Sequence, residues 1–512
     1  MNKKILNSSV SSVLIFLSFL IAINFLVSQN SVYFDLTEEK IYTTSEASKD
    51  ILKNLNDEVV VNFYISKDLP SDLITTKTQL LDSMNQYQDI AGSKLKVSYI
   101  EPENTSEKAQ ELAEIGIPQL QFNVIEKDKY EVKQGFFGVE ITSEKDGEIK
   151  REAIPIIQAI NSWEYDFISA VYSVSRDSQE TVAFLTGHGE KDVQIEDLKK
   201  SYEIADVQIE IEGDNKGFYI SKNKTNEDGE EQVEKEYITP LTLIIIGPEK
   251  EIISEEISVI DEFISNGGNV IVASENIVPD VQQNLNAVPV ENNLNELIKK
   301  YGIEINSDLI YDKSNSNITY QQGFFSVSKP YPFWVKAVQD NFESHPSLSG
   351  IQSVTFPWVS SLKLSEKDEY VAKSLLSSTN QGKTMSDSFN LLPDSRLVFL
   401  GGSKKTIAAI SESKEENSQS GILFVVGDSD FVSPNFSKQI PDNITFFMNL
   451  VDSVSNLVNL SSIRSKNIID RPLKELDESE KNYWKFVSIF AGAILIDIYG
   501  VFRIMRRKKR AK

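Results

Sequence analysis

The sequence has no cysteine and only two histidines, His188 and His345, in 512 residues. Without cysteine there can be no disulfide, thiol nucleophile, CxxC redox pair or thiolate metal site. Two histidines all but exclude multi-histidine metal centres. Positive charge is scarce as well, with 52 Lys+Arg against 76 Asp+Glu and a net charge of −24. Nonspecific nucleic-acid binding needs a basic face to displace counterions, and this balance argues against it. The P-loop G-x-x-x-x-G-K-[ST] and the nucleophile elbow G-x-S-x-G do not occur, and Gly187 and Gly189 are followed by Asp192 where a dinucleotide fingerprint needs glycine. No internal repeat of fixed period is present. What remains is 40% hydrophobic and 10% aromatic, enough for real cores. The length suggests about three domains of roughly 150 residues.

The two ends stand apart from the rest. Lys3-Lys4 precede a run from Val10 to Val27 without charge, which as a helix would reach about 27 Å, close to the hydrocarbon thickness. A cleaved signal peptide would begin in the same way, but no clear small-x-small site follows Asn24, so residues 10–29 are expected to stay as a transmembrane helix after a cytoplasmic 1–9. A second apolar stretch, Phe486–Phe502, is interrupted by Asp497 and followed by seven basic residues from Arg503 to Lys512. It is expected to form a second transmembrane helix over 484–503, with 504–512 as a basic cytoplasmic tail. The positive-inside rule then puts both termini in the cytoplasm at the inner membrane. Setting aside the basic flanks leaves −33 for the body between, which would be an extracytoplasmic (periplasmic) ectodomain. Asp497 would couple to a membrane partner or reach the headgroups.

Within the body, 58–66 reads as a strand, 75–91 as a helix, 94–100 as a strand and 106–115 as a helix, before a hairpin of 120–126 with 135–142 and a strand near 151–156. This β-α-β-α-β-β order suggests a thioredoxin-like α/β module over 30–175. Strands are expected at 181–186, 203–212, 241–246, 269–273, 396–401 and 421–426, with helices at 255–265 and 444–454 and a hairpin or loop at 216–235. A β-α-β unit around Leu241–Ala273 predicts a doubly wound, Rossmann-like module over 176–480. Pro330–Trp334 and Phe356–Trp358, rich in proline and aromatics, read as an insertion rather than as sheet.

Two loops could carry chemistry. Gly187-His188-Gly189-Glu190 follows a strand, where open α/β sheets bind ligands. Its glycines allow close backbone approach, and His188 could act as a base oriented by Glu190. Gly427-Asp428-Ser429-Asp430 sets two carboxylates two residues apart after another strand, which could hold Mg²⁺ with further oxygen ligands. The same residue types also make ordinary turns and helix caps. A turn or a ligand or partner contact is therefore the reading of Gly187, His188, Gly189, Glu190, Asp428 and Asp430. Neither a catalytic residue nor a cofactor or metal is assigned.

The opening Phe34-Asp35-Leu36-Thr37-Glu38-Glu39-Lys40-Ile41-Tyr42-Thr43-Thr44-Ser45 resembles that of the GldG-type proteins, auxiliary components of ABC transport systems named for gliding motility. Six further stretches fit in order: Phe184–Glu190, Phe263–Gly268, Tyr331–Trp334, Phe356–Trp358, Gly427–Phe431 and Ile463–Lys466. The resemblance implies a non-catalytic subunit beside an ABC-2-type permease and a separate ATPase. It also implies an ectodomain related to class I glutamine amidotransferases without their nucleophile, in accord with the missing cysteine. An extracytoplasmic hydrolase or metal-dependent enzyme, and a solute-binding receptor, are the alternatives.

Overall fold

The computed structural model describes residues 43–455 apart from short internal stretches, and 478–510, together with Phe16, Ser18, Phe19 and Ile463. The chain divides into two units, Met1–Ile468 and Ile469–Lys512. In the first, β1 (Val59–Ile65) is a run of β-branched and aromatic residues suited to a pleated surface. It pairs in parallel with β2 (Leu95–Ile100), and the helix Ser71–Ala91 supplies the crossover that a parallel pair requires. β3 (Leu120–Glu126) and β4 (Lys129–Gly135) form a hairpin of their own. β5 (Phe137–Lys145) then lies antiparallel to β1, and β6 (Glu148–Ile154) to β5. Tyr87 and Trp163 each stack on Phe167, at 5.3 and 5.1 Å between ring centroids, and close the core under β1.

Two expectations are corrected here. The partner of Leu120–Glu126 is Lys129–Gly135, whose three charges disguised the alternating Tyr130 and Val132. The sheet, in the order β2-β1-β5-β6, is mixed and has a detached hairpin inserted before its third strand, so no thioredoxin-like fold is shown.

The second sheet has eleven strands. Its middle is parallel: β7 (Thr181–Leu185) lies between β8 (Glu203–Glu210) and β11 (Thr242–Ile246), followed by β12 (Asn269–Ala273). β9 (Gly217–Thr225) and β10 (Glu231–Ile238) extend one edge as an antiparallel hairpin, the form expected for 216–235. β13 (Ile277–Asp280) and β14 (Asn286–Pro289) pair outside the sheet. The other edge holds β24 (Leu423–Val426), parallel to β12, and then β23 (Thr406–Ser413), β20 (Leu362–Leu364) and β15 (Ile303–Ile305), all antiparallel, with β21 (Tyr370–Ser377) also on β23.

The central strands are apolar throughout because both faces are covered. Ile244, Ile271 and Phe424 join one core with Phe446 and Leu450 of the helix Pro441–Val454. Their neighbours Leu243, Val270 and Leu423 join another with Ile257, Ile260 and Ile264 of the helix Ser254–Ser265. Antiparallel strands flank this parallel middle on both sides, so the expected doubly wound, Rossmann-like module is corrected to a mixed α/β sheet.

The remaining strands make a satellite. β16 (Leu309–Tyr311) pairs with β22 (Lys383–Met385), while β17 (Asn315–Gln322), β18 (Phe325–Val338) and β19 (Ser353–Pro357) form a three-stranded sheet. The proline-aromatic stretches are therefore strands. Pro332 falls where the β17–β18 register shifts, and Pro357 ends its strand, so neither interrupts a ladder. The expected strand Arg396–Gly401 is corrected: Arg396 lies outside the described residues, and Val398 and Leu400 are 64% and 88% exposed in irregular chain.

The second unit contains the helix Glu478–Arg510. Among the described residues no helix at either end is long and apolar enough to cross a membrane, which corrects the expectation of a transmembrane helix at each end. Phe486–Ile496, the uncharged run before Asp497, would reach only about 16 Å of the roughly 30 Å needed. Residues 10–29 lie outside the described residues except for Phe16, Ser18 and Phe19, as do 34–42 and 464–466.

Candidate functional site

β7, β11, β12 and β24 run the same way, so their carboxyl ends bring four loops to one end of the sheet. They are Thr186–Lys191, the turn at Gly247, Ser274-Glu275 and Gly427–Asp430. At Gly189, φ is +77°, a conformation most side chains avoid. At Gly427 the reason for glycine is space, since a Cβ there would lie 2.2 Å from the Ser360 carbonyl oxygen.

Lys191 ties the two sequence motifs together. Its ammonium donates to Glu275 Oε1 at 3.0 Å and to Asp430 Oδ1 at 2.7 Å. Burial alone would lower the lysine pKa, but the charges of Glu275 and Asp430 outweigh it and raise the pKa above its usual range. Glu275, itself buried, accepts from the Ser429 backbone N–H at 2.6 Å and the Ser429 hydroxyl at 2.8 Å. Asp428 Oδ1 caps the turn by accepting from the Asp430 N–H at 2.8 Å, while Oδ2 has no partner among the described residues. Burial first, then the charges of Asp430 and Glu275, push the Asp428 carboxyl well above its ordinary range.

His188 is held on both sides. Its Nδ1 is 3.1 Å from Glu190 Oε1, and its Nε2 is 3.1 Å from Glu256 Oε2 on the helix Ser254–Ser265. Glu190 Oε2 also accepts from the His188 backbone N–H at 2.8 Å, and the His188 carbonyl accepts from the N–H groups of Glu249 and Lys250. The hydrogen bond to Glu190 is the main cause that raises the imidazole pKa; burial opposes it and Glu256 adds to it. A general base needs a free ring nitrogen facing substrate, and here both face carboxylates. His345, the other histidine, uses Nδ1 to accept from the Ser347 N–H at a short turn.

The structure thus gathers Gly187, His188, Gly189, Glu190, Asp428 and Asp430 at one end of one sheet. Asp497 lies in the helix of the other unit, and its side chain is outside the described residues. Sequence reasoning did not single out Lys191, Glu275, Ser429 or Glu256. The available signals were the position of Lys191 directly after the glycine-histidine loop and of Glu275 two residues beyond a buried strand. Among the described residues no group of three or more His, Asp or Glu is placed to hold a metal. A cleft of about 540 Å³ opens beside the first loop, between Thr186, Glu190, Asp206 and Ile246.

Residues 179–458, which include every one of these loops, match the family described as an ABC-type uncharacterized transport system. Residues 38–142 match a domain of unknown function, DUF7088. An uncharacterized protein of Borreliella burgdorferi is 24% identical over 495 residues, covering 93% of each chain. Among solved structures, the mmIFT52 N-terminal domain is 18% identical, with 53% of this chain and 95% of that chain covered, at a TM-score of 0.33. An exo-β-1,4-mannosidase from an Opitutaceae bacterium is 11% identical, with 75% of this chain and 50% of that chain covered, at 0.23. Neither score carries a fold assignment. The family match spans more than half of the sequence, and the chain belongs to the ABC-type transport system family.

Proposed function

We propose that this protein is a non-catalytic auxiliary subunit of an ABC transport system, working beside an ABC-2-type permease and a separate ATPase. The observation that carries the reading is the family match over 179–458. The missing P-loop supports an ATPase on another chain. The site geometry supports a binding rather than a catalytic role: Lys191, Glu275, Asp430, His188, Glu190 and Glu256 bond to one another and leave no free acid-base pair directed at a substrate. In this reading the loops Gly187–Glu190 and Asp428–Asp430 are a partner-contact surface, and Asp497 couples the closing helix to the permease. The acidic body works on the extracytoplasmic side of the inner membrane, where its charge keeps it soluble. A role in gliding motility is the narrower form of the proposal.

Capture of the full-length chain from detergent-solubilised membranes tests it. Recovery of an ATPase and a polytopic permease is expected, and Asp497→Leu should lower that recovery at equal expression. Recovery of neither subunit overturns the reading, as would a hydrolytic activity of the purified chain that disappears in His188→Ala.

A further inference from the structure

At β7 the eleven-stranded sheet grows in both directions. The chain passes from β7 to β8 on one side and then, after the β9–β10 hairpin, to β11 on the other, both parallel to it. Open α/β sheets bind ligands outside the carboxyl end of such a strand, where the two connections part. The cleft of about 540 Å³ lies there, and its size is that of a small-molecule site. Register explains its floor. Phe184 pairs with Asp206 on β8 and with Ile244 on β11. Residues two apart share a face, so Phe184, Ile204, Asp206, Ile244 and Ile246, which all line the cleft, lie on one side of the sheet. The floor is apolar, with a half-buried ring at Phe184 and a carboxylate set beside it.

The charges around the cleft select the ligand. Glu190, Asp192, Glu196 and Asp206 line it against Lys191 and Lys199. Both lysines are engaged, Lys191 by Glu275 and Asp430 and Lys199 by Glu196 at 2.9 Å. Glu190 is held by His188. Asp192 and Asp206 are exposed to the cleft and have no hydrogen bond or ion pair among the described residues. A cleft with an excess of one charge concentrates the opposite one, so an anion is disfavoured here and a cation is drawn in. A bare metal ion does not fit, because among the described residues no group of three or more His, Asp or Glu is placed to hold one. The isoleucines and the Phe184 ring instead suit an apolar body, and an aromatic face also attracts a cation.

We infer that the cleft at the carboxyl end of β7 binds a small organic cation, an ammonium carried on an apolar body. Asp206 and Asp192 receive the ammonium, and Phe184 with the isoleucines holds the body. The inference goes beyond the auxiliary-subunit reading and does not depend on a transporter. Calorimetric titration of the full-length protein with tryptamine tests it, beside two probes that each lack one feature. Indolepropionate keeps the ring and carries a carboxylate in place of the ammonium, and ethylamine keeps the ammonium without the ring. Tryptamine should bind saturably and the other two at least tenfold more weakly. Asp192→Asn/Asp206→Asn should weaken tryptamine about tenfold, as loss of a charged hydrogen-bond partner does, and leave the urea midpoint unchanged because both side chains are exposed. No saturable binding of tryptamine up to about 10 mM overturns the inference. So does equal affinity for indolepropionate, which would show that charge plays no part, or for ethylamine, which would show that the apolar floor plays none. Tryptamine binding that is the same in the double variant places the site elsewhere and likewise overturns it.

Discussion

The carboxyl end of the central sheet and the β17–β18 hairpin treat their difficult groups in opposite ways. At the sheet end, carboxylates from two loops are drawn inward around Lys191, and Glu275 and Asp428 are buried. At the hairpin, two phenylalanines are left in the open at a tip where residues 314–328 carry no charge. Charge inside a fold must be paired or neutralised to be tolerated at all. Apolar surface outside it can persist at no cost to the fold, and then marks a contact. Apart from Asp428 Oδ2, the residue types that look reactive are thus bonded to their neighbours, while the exposed apolar residues lie where no reactive residue is found.

The largest effect should come from breaking the saturated region. Lys191→Met leaves Glu275 and Asp430 without their cation beside the buried Asp428, and a loss of about 3–5 kcal/mol is expected for removing one side of a buried pair. Urea unfolding should show a lower midpoint at unchanged slope. Recovery of most of that loss by Lys191→Arg would confirm the charge as the cause, whereas a midpoint like wild type's for Lys191→Met would show that the network contributes nothing. Gly427→Ala comes next. Its methyl group would meet the Ser360 carbonyl oxygen at 2.2 Å, and Ser360 donates its own N–H to the Gly427 carbonyl at 2.8 Å. The two segments must part, at about 1–3 kcal/mol. The same measurement checks it.

A pH series sharpens the comparison without disturbing packing. His188 has its pKa raised in the folded protein by Glu190 and Glu256. Its contribution is therefore fully present below the unfolded value of about 6.5 and lost as pH rises through the folded value. Asp428 is also raised, so stability falls in the same direction, starting above about pH 3.9. Wild-type stability should decline from pH 6 to 8, and His188→Gln should flatten that decline. An equal slope in the variant would assign the dependence elsewhere.

The sequence made some of this legible. Buried strands such as Thr242–Ile246 and Asn269–Ala273 are short apolar runs closed by turn residues, and the helix between them ends at Asn266-Gly267-Gly268. Finding those strands located the loops, and hence the site. The pairing inside it was not readable, because Lys191 meets Glu275 and Asp430 across 84 and 239 positions. No spacing rule links a charge to a partner that far away. Strand direction at the sheet edges was hidden for a related reason. An antiparallel neighbour such as β23 and a parallel one such as β12 both read as apolar runs, and only register separates them. The proline-rich β18 was missed because the bulge that accommodates Pro332 is a property of the pair, not of the strand.

The smallest effect is expected at the hairpin tip, and it is the one that separates the two regions most cleanly. Phe324 and Phe325 are exposed, so replacing both with serine removes about as much apolar surface from the unfolded chain as from the folded one. Nothing in the core loses a neighbour, and surface changes of this kind usually stay within about 0.5 kcal/mol. The urea midpoint of Phe324→Ser/Phe325→Ser should therefore match wild type, in contrast to Lys191→Met. A loss above about 2 kcal/mol would mean that the tip packs on protein in the native state. It would then belong with the saturated sheet end rather than with the exposed surface.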